Sequence, residues 1–116
     1  MNNPVTIDDT FAQLFATIRS RKRAKADVSY TAQLFARGVP TICKKLNEET
    51  TEAIIEAARG DKARLREESA DILYHLFVLW AASGITPEQV GKILSKRTAQ
   101  SGLAEKAART KQPKKK

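Results

Sequence analysis

Residues 40–82 read PTICKKLNEETTEAIIEAARGDKARLREESADILYHLFVLWAA, and this stretch decides the fold. Apolar residues recur at helical spacing on both sides of Gly60, and strand-like alternation is absent. Pro40 suits the first turn of a helix, where its missing N–H costs nothing. That helix reaches to about Arg59. Gly60 supplies its C-cap, and Asp61 at once caps a second helix running to about Ala82. So short a break predicts an antiparallel hairpin of two helices.

Working outward, the remaining signals are also helical. Thr6, with Asp9 three residues on, is an N-terminal cap for Ile7, Phe11, Leu14, Phe15 and Ile18. The basic stretch from Arg19 to Lys25 closes this helix with cations where its dipole favours them. A short helix follows from Ser29 to Arg37, stopped by Gly38 and by the restriction Pro40 places on Val39. Beyond Gly84, Thr86-Pro87-Glu88-Gln89 starts a last helix, with Val90, Ile93 and Leu94 as its expected buried stripe. The expectation is an all-α protein, a small bundle of about five helices. After Ile72 the fourth helix is apolar around most of its circumference, which places it at the centre of a bundle or against a second copy.

The 116 residues suit one domain, expected over 1–109, whose modest core would be completed by dimerisation. The longest apolar run, Leu76 to Ala82, falls far short of the roughly 20 residues that span a bilayer. Met1 to Asp9 shows no basic segment followed by an apolar one, and the single Cys43 excludes an intrachain disulfide. Cys43 is expected to pack between helices, and the protein to be cytoplasmic. The net charge of +8 lies entirely beyond Gly91, where nine basic residues face only Glu105. Its last part, residues 110–116, reads as a basic, solvated tail.

The hairpin carries the chemistry. Glu49 and Glu52 share one face of the third helix, and Glu68 and Asp71 share one face of the fourth. Glu52 and Glu68 each stand eight residues from Gly60; Glu49 and Asp71 each stand eleven. Folding at Gly60 therefore brings four carboxylates to one height. On the third helix the apolar positions are Ile42, Leu46, Ala53 and Ala57, and Glu49 interrupts them. Carboxylates held together repel and raise one another's pKa unless a cation offsets them. Hard divalent cations take oxygen ligands, and magnesium shares itself between carboxylates and substrate phosphates. The other reading is a solvated acidic face with i,i+4 ion pairs: Lys44–Glu48, Lys45–Glu49 and Arg64–Glu68. Against it stand the like-charged i,i+4 pairs Glu48–Glu52, Glu52–Glu56 and Glu67–Asp71.

Glu48-Glu49-x-x-Glu52, followed by Glu68-x-x-Asp71, resembles the acidic pattern of the MazG-like all-α nucleotide pyrophosphohydrolases. Three further stretches are similar to the phosphoribosyl-ATP pyrophosphohydrolase family. They are Ser29-Tyr30-Thr31 with Lys44-Lys45-Leu46, then residues 68–76 (ESADILYHL), and finally residues 101–106 (SGLAEK). The resemblance implies hydrolysis of phosphoribosyl-ATP to phosphoribosyl-AMP and pyrophosphate, the second step of histidine biosynthesis. It also implies a homodimer using magnesium or manganese. By the same resemblance Glu49, Glu52, Glu68 and Asp71 are metal ligands, and Glu48 is a further ligand or the base that orients water. Asn47 before the two glutamates, and Thr50 and Thr51 after them, depart from the family's small and apolar residues. The departure touches local packing and leaves the acids intact.

No glycine-rich phosphate loop is present, so phosphates must be held by metal and basic side chains. Lys44, Lys45, Lys96, Arg97 and Lys106 are the candidates. His75 reads as a core residue with a supporting or substrate-contacting role as the alternative. Two other functions remain in play: a house-cleaning pyrophosphatase of ordinary nucleoside triphosphates, and a non-enzymatic helical protein binding nucleic acid through its basic tail.

Overall fold

The computed structural model describes residues 6–99 and Arg109. Five α-helices run in order: α1 (Ile7–Ser20), α2 (Tyr30–Arg37), α3 (Val39–Arg59), α4 (Lys62–Ser83) and α5 (Pro87–Thr98), with a 3-10 turn at Arg21–Arg23 after α1. Among the described residues there is no strand, and no helix is long and apolar enough to cross a membrane.

The caps form as local chemistry dictates. The side-chain oxygens of Thr6, Ser29, Asp61 and Thr86 each accept from a backbone N–H three residues on, and Thr86 forms a full capping box with Gln89. Two glycines set the direction of the chain. Gly38, at φ 91° and ψ 177°, is the single residue between α2 and α3, a conformation in essence closed to other residues. Gly60, at φ 77°, ends α3 in the left-handed region, so that Asp61 can start α4.

The chain up to Ile85 forms one compact unit. Its backbone is the α3–α4 hairpin, with α1 laid on α4 and α2 on both α3 and α4. Phe15, Ile18, Leu34, Ile42, Phe77, Val78 and Ala81 make the buried core. Phe77 meets Phe11 edge-on at 5.2 Å and stacks on Trp80 at 4.8 Å. Lys22 reaches from the 3-10 turn to donate to the carbonyl of Ala81 at 3.1 Å, joining the Gly84 N–H, which caps α4 on the same oxygen at 3.4 Å.

Several details differ from the sequence reading. Ala57 is exposed, and Glu56, one turn from Ala53, takes the buried position, where Arg59 and Arg64 meet its carboxylate. Cys43 is exposed and packs between no helices. Leu73, Leu76 and Leu79 on α4 are only partly covered, so that helix is not enclosed on all sides within this chain. From Thr86 onward the chain forms a second unit. There the expected stripe fails: Ile93 and Leu94 are more than half exposed, and α5 has no buried residue. An amphipathic pattern marks a face that seeks a partner without saying where the partner lies.

Candidate metal centre

The hairpin sets the acids against one another. Glu49, Glu68 and Asp71 each offer an oxygen lying within 4.8 Å of the other two. Some point then lies within about 2.8 Å (4.8/√3) of all three oxygens. Calcium–oxygen distances run to about 2.6 Å and magnesium–oxygen to about 2.1 Å, so a cation could be gripped after rotamer adjustments of under an ångström. Glu52 joins the group through Glu68, with which it shares a hydrogen bond when one of the two is protonated. Glu48 stays on the exposed side, 3.6 Å from Lys45.

The acids of this cluster crowd one another and raise one another's proton affinity. The Glu52 carboxyl is raised above its usual 4.5, first by the hydrogen bond and then by the charge of Glu68, with burial, Glu48 and Asp71 adding to it. Glu68 is raised chiefly by its hydrogen bond with Glu49, partly offset by that with Glu52; burial and the charges of Glu49 and Asp71 push the same way. One oxygen of Glu68, Oε2, is sealed from solvent and has no hydrogen-bond partner. Buried polar atoms are nearly always paired, so the orphan marks a place where a cation or a proton belongs. The donor set is all carboxylate, which suits magnesium, manganese or calcium and gives softer metals no thiolate or imidazole.

Towards Gly60 the cluster opens into a cavity of about 260 Å³ lined by Glu52, Ile55, Glu56, Arg59, Arg64 and Glu68. Glu56 is 7% exposed, and it holds both arginines: Arg64 Nε donates to its Oε2 at 3.2 Å, and Arg59 Nη1 lies 3.4 Å from its Oε1. One face of the cavity is thus acidic and the other carries two guanidinium groups. Sequence reasoning missed Arg59, Arg64 and Glu56. The signal was present: Arg64 and Glu56 flank the turn at four residues on either side of Gly60, so the hairpin makes them neighbours as it does the acids. Of the ion pairs expected along the helix surfaces, none forms. Lys45 turns to Glu48, and Arg64 crosses the hairpin to Glu56.

Of the phosphate-binding candidates, Lys44 and Lys45 sit on α3 one turn before Glu48 and Glu49. Lys96 and Arg97 lie in the last turn of α5, in the second unit. Lys106, like the stretch from Ser101 to Lys106, lies outside the described residues.

A second constellation borders the acids. His75 is buried on α4 one turn beyond Asp71, with Nδ1 2.8 Å from the Asp71 carbonyl and Nε2 3.1 Å from the Tyr30 hydroxyl. Beside it Tyr74 bonds Thr31 and packs against Tyr30. Burial pushes the Tyr74 phenol up, and the Thr31 hydrogen bond opposes this in part.

With this geometry in view, comparison with known proteins is decisive. Residues 11–98 match the family described as phosphoribosyl-ATP pyrophosphohydrolase. The chain belongs to that family. It is 53% identical to the phosphoribosyl-ATP pyrophosphatase of Azospirillum brasilense over 97 residues, 84% of this chain and 87% of that one. A relative of the same name from Cereibacter sphaeroides is 50% identical over 84% of this chain and 94% of its own. Another, from Methylobacterium nodulans, is 52% identical over 86% and 94%. As a phosphoribosyl-ATP pyrophosphohydrolase family member, the chain carries its carboxylate cluster and its Tyr–His constellation within the matched residues.

Proposed function

We propose that this chain hydrolyses phosphoribosyl-ATP to phosphoribosyl-AMP and pyrophosphate, a step of histidine biosynthesis, as a magnesium- or manganese-dependent enzyme of the cytoplasm. Membership of the family supports the reaction. The observation that carries the mechanism is the meeting of Glu49, Glu68 and Asp71 with an unpartnered Glu68 oxygen among them. Glu52 completes the ligand set through its contact with Glu68. A cation bound there would polarise the phosphoryl group and stabilise the charge of the departing pyrophosphate.

The side chains supply the rest. Glu48, exposed and one residue from the cluster, orients the attacking water and accepts its proton. The polyphosphate lies along the cavity from the acids towards Gly60, its far end between Arg59 and Arg64. Arg64 stands one helical turn from Glu68, about 6 Å along the axis, a separation that a triphosphate bridges. Glu56 aims the two guanidinium groups while leaving the remaining Arg64 nitrogens free of its own carboxylate. Lys44 and Lys45 guard the opposite end of the cluster.

The working form is a homodimer. Supporting this, α4 presents a groove of about 540 Å³ lined by Lys62, Leu65, Arg66, Ser69, Ala70 and Leu73. On α3, Ile54 and Ile55 are 63% and 49% exposed. Exposed apolar side chains on these two packed helices support an association face. Light scattering reads the dimer directly, and a monomer at micromolar concentration contradicts it.

The activity test is pyrophosphate release from phosphoribosyl-ATP set beside ATP, dCTP and dUTP, each with magnesium and with chelator. Preferential, metal-dependent turnover of phosphoribosyl-ATP is expected. Equal turnover of the common triphosphates would overturn the substrate assignment, and full activity in chelator would overturn the metal.

A further inference from the structure

The hydrogen bonds around His75 form a chain with a defined direction. A backbone carbonyl can only accept, so Nδ1 carries the proton in the bond to Asp71. In the neutral ring Nε2 is then the acceptor, and the Tyr30 hydroxyl donates to it. Tyr30 is the first residue of α2, held there by the Ser29 cap, whose hydroxyl accepts from the Ala32 N–H. The chain therefore runs from the start of α2, through a buried imidazole, to the peptide carbonyl of a residue in the carboxylate cluster. His75 also packs edge-on against both Tyr30 and Tyr74, which fixes the plane of its ring.

This arrangement answers a question the cluster leaves open. Glu49 and Glu68 face each other across the hairpin, but the Asp71 carboxylate is exposed at its edge, with no hydrogen bond to another side chain holding it. Its place depends on the turn of α4 that bears it. Tyr30, in turn, is 48% exposed, so its ring contributes little to the core, while its hydroxyl is committed inward. A half-exposed tyrosine that spends its one polar group on a buried histidine is poorly explained by packing alone.

We propose that Tyr30 and His75 are positioning residues that lock the Asp71–His75 turn of α4 to the start of α2, and thereby set the Asp71 carboxylate against Glu49 and Glu68 for metal binding. This rests on the carboxylate site proposed above. Neither residue touches the cation; both act through the backbone of Asp71. Outer groups that orient a ligand commonly contribute 10–100-fold in metal affinity or activity.

The test is Mn2+ binding followed by electron paramagnetic resonance on the full chain, with no substrate present. Tyr30→Phe removes one hydroxyl. His75→Asn retains a donor near Nδ1 and loses the reach to Tyr30, and His75→Gln does the reverse. Each is expected to weaken Mn2+ binding about 10- to 100-fold. Because the bonds act in series, Tyr30→Phe combined with His75→Asn should be no worse than the poorer single variant. At saturating Mn2+ the kcat of Tyr30→Phe should recover towards that of the unaltered chain. Lys22→Met, which cuts a different tie to α4 at its far end, should lower thermal stability and leave Mn2+ affinity alone.

Unchanged Mn2+ affinity in folded Tyr30→Phe would overturn the proposal. So would a rise in KM with no change in Mn2+ affinity, which would make Tyr30 a substrate contact, or a double variant showing the product of the two single effects. Absence of Mn2+ binding by the unaltered chain would strike the carboxylate site itself, and this inference with it.

Discussion

Replacing Glu68 by glutamine separates the metal reading of the acidic cluster from every other. The substitution preserves shape while removing the charge and one candidate ligand. In the metal-free chain it relieves a conflict, because Glu68 otherwise confronts Glu49, Glu52 and Asp71 with a buried, unpartnered oxygen, and an amide can donate to its neighbours. The metal-free variant should therefore melt no lower than the unaltered protein. With metal the order reverses. For the unaltered chain, magnesium at 100 times its dissociation constant stabilises the fold by about 2.7 kcal/mol. A domain of this size gains about 4–8 °C per kcal/mol, so the melting temperature should rise by about 11–22 °C. If the variant binds about 100-fold more weakly, beyond the usual outer-sphere effect, the same magnesium concentration lifts it only about 2–3 °C. Differential scanning fluorimetry with magnesium and with chelator, using Glu67→Gln as a charge-matched control, measures all four values. A Glu68→Gln protein that keeps the full magnesium-dependent rise would refute the ligand assignment.

Glu52→Gln and Asp71→Asn should each abolish pyrophosphate release while the circular dichroism spectrum stays helical; near-normal magnesium-dependent turnover in either would remove that residue from the site. Glu52 and Glu68 are both raised in the folded chain, so their contribution to metal-free stability is present below the ordinary carboxylate range and is lost as pH rises through the raised values. Magnesium requires the deprotonated forms, so its stabilising effect should grow over the same window, and a magnesium shift independent of pH there would contradict a shared-proton cluster. Arg64→Ala should raise the KM for phosphoribosyl-ATP by about 2- to 5-fold, a small effect because the side chain is 61% exposed, and the effect should fade in high salt. Gly60→Ala should destabilise the chain by about 1–2 kcal/mol in urea titration, from its positive φ alone, since no atom within 4 Å would meet the added methyl.

The helices were legible because their signals are local. Thr6, Ser29, Asp61 and Thr86 each satisfy an N–H three residues away, and no distant contact is needed to decide the matter. The position of the acids was legible for a related reason: an antiparallel hairpin converts equal counting from Gly60 into equal height. What could not be read were contacts in which a long side chain chooses among partners. Arg64 had Glu68 available one turn along its own helix, yet it crosses to Glu56, whose carboxylate is buried and less well solvated. The bond between Tyr30 and His75 joins residues 45 apart, and no periodicity within either segment announces it. The apolar side of α5 shows the complementary limit: its spacing predicts a buried stripe, but among the described residues Ile93 and Leu94 stay more than half exposed.

The same geometry that makes the hairpin a metal site makes it a poor hairpin without one. Counting outward from Gly60, the turn pairs Arg64 with Glu56 at four residues, Glu68 with Glu52 at eight, and Asp71 with Glu49 at eleven. The inner pair is an attraction and the outer two are repulsions. Helical hairpins selected for stability alone would alternate charge along this seam or fill it with apolar residues, as Ile42 and Val78 do further along. Instead the fold confines its conflict to the two turns between the Glu56–arginine cluster and the Tyr30–His75 tie. Both flanking devices are attractive contacts, and both act on the helices that bear the acids. A strained segment bounded by two fixed points can change its internal contacts without losing its register. A site whose carboxylates repel one another when empty, and are drawn together when a cation arrives, requires that property.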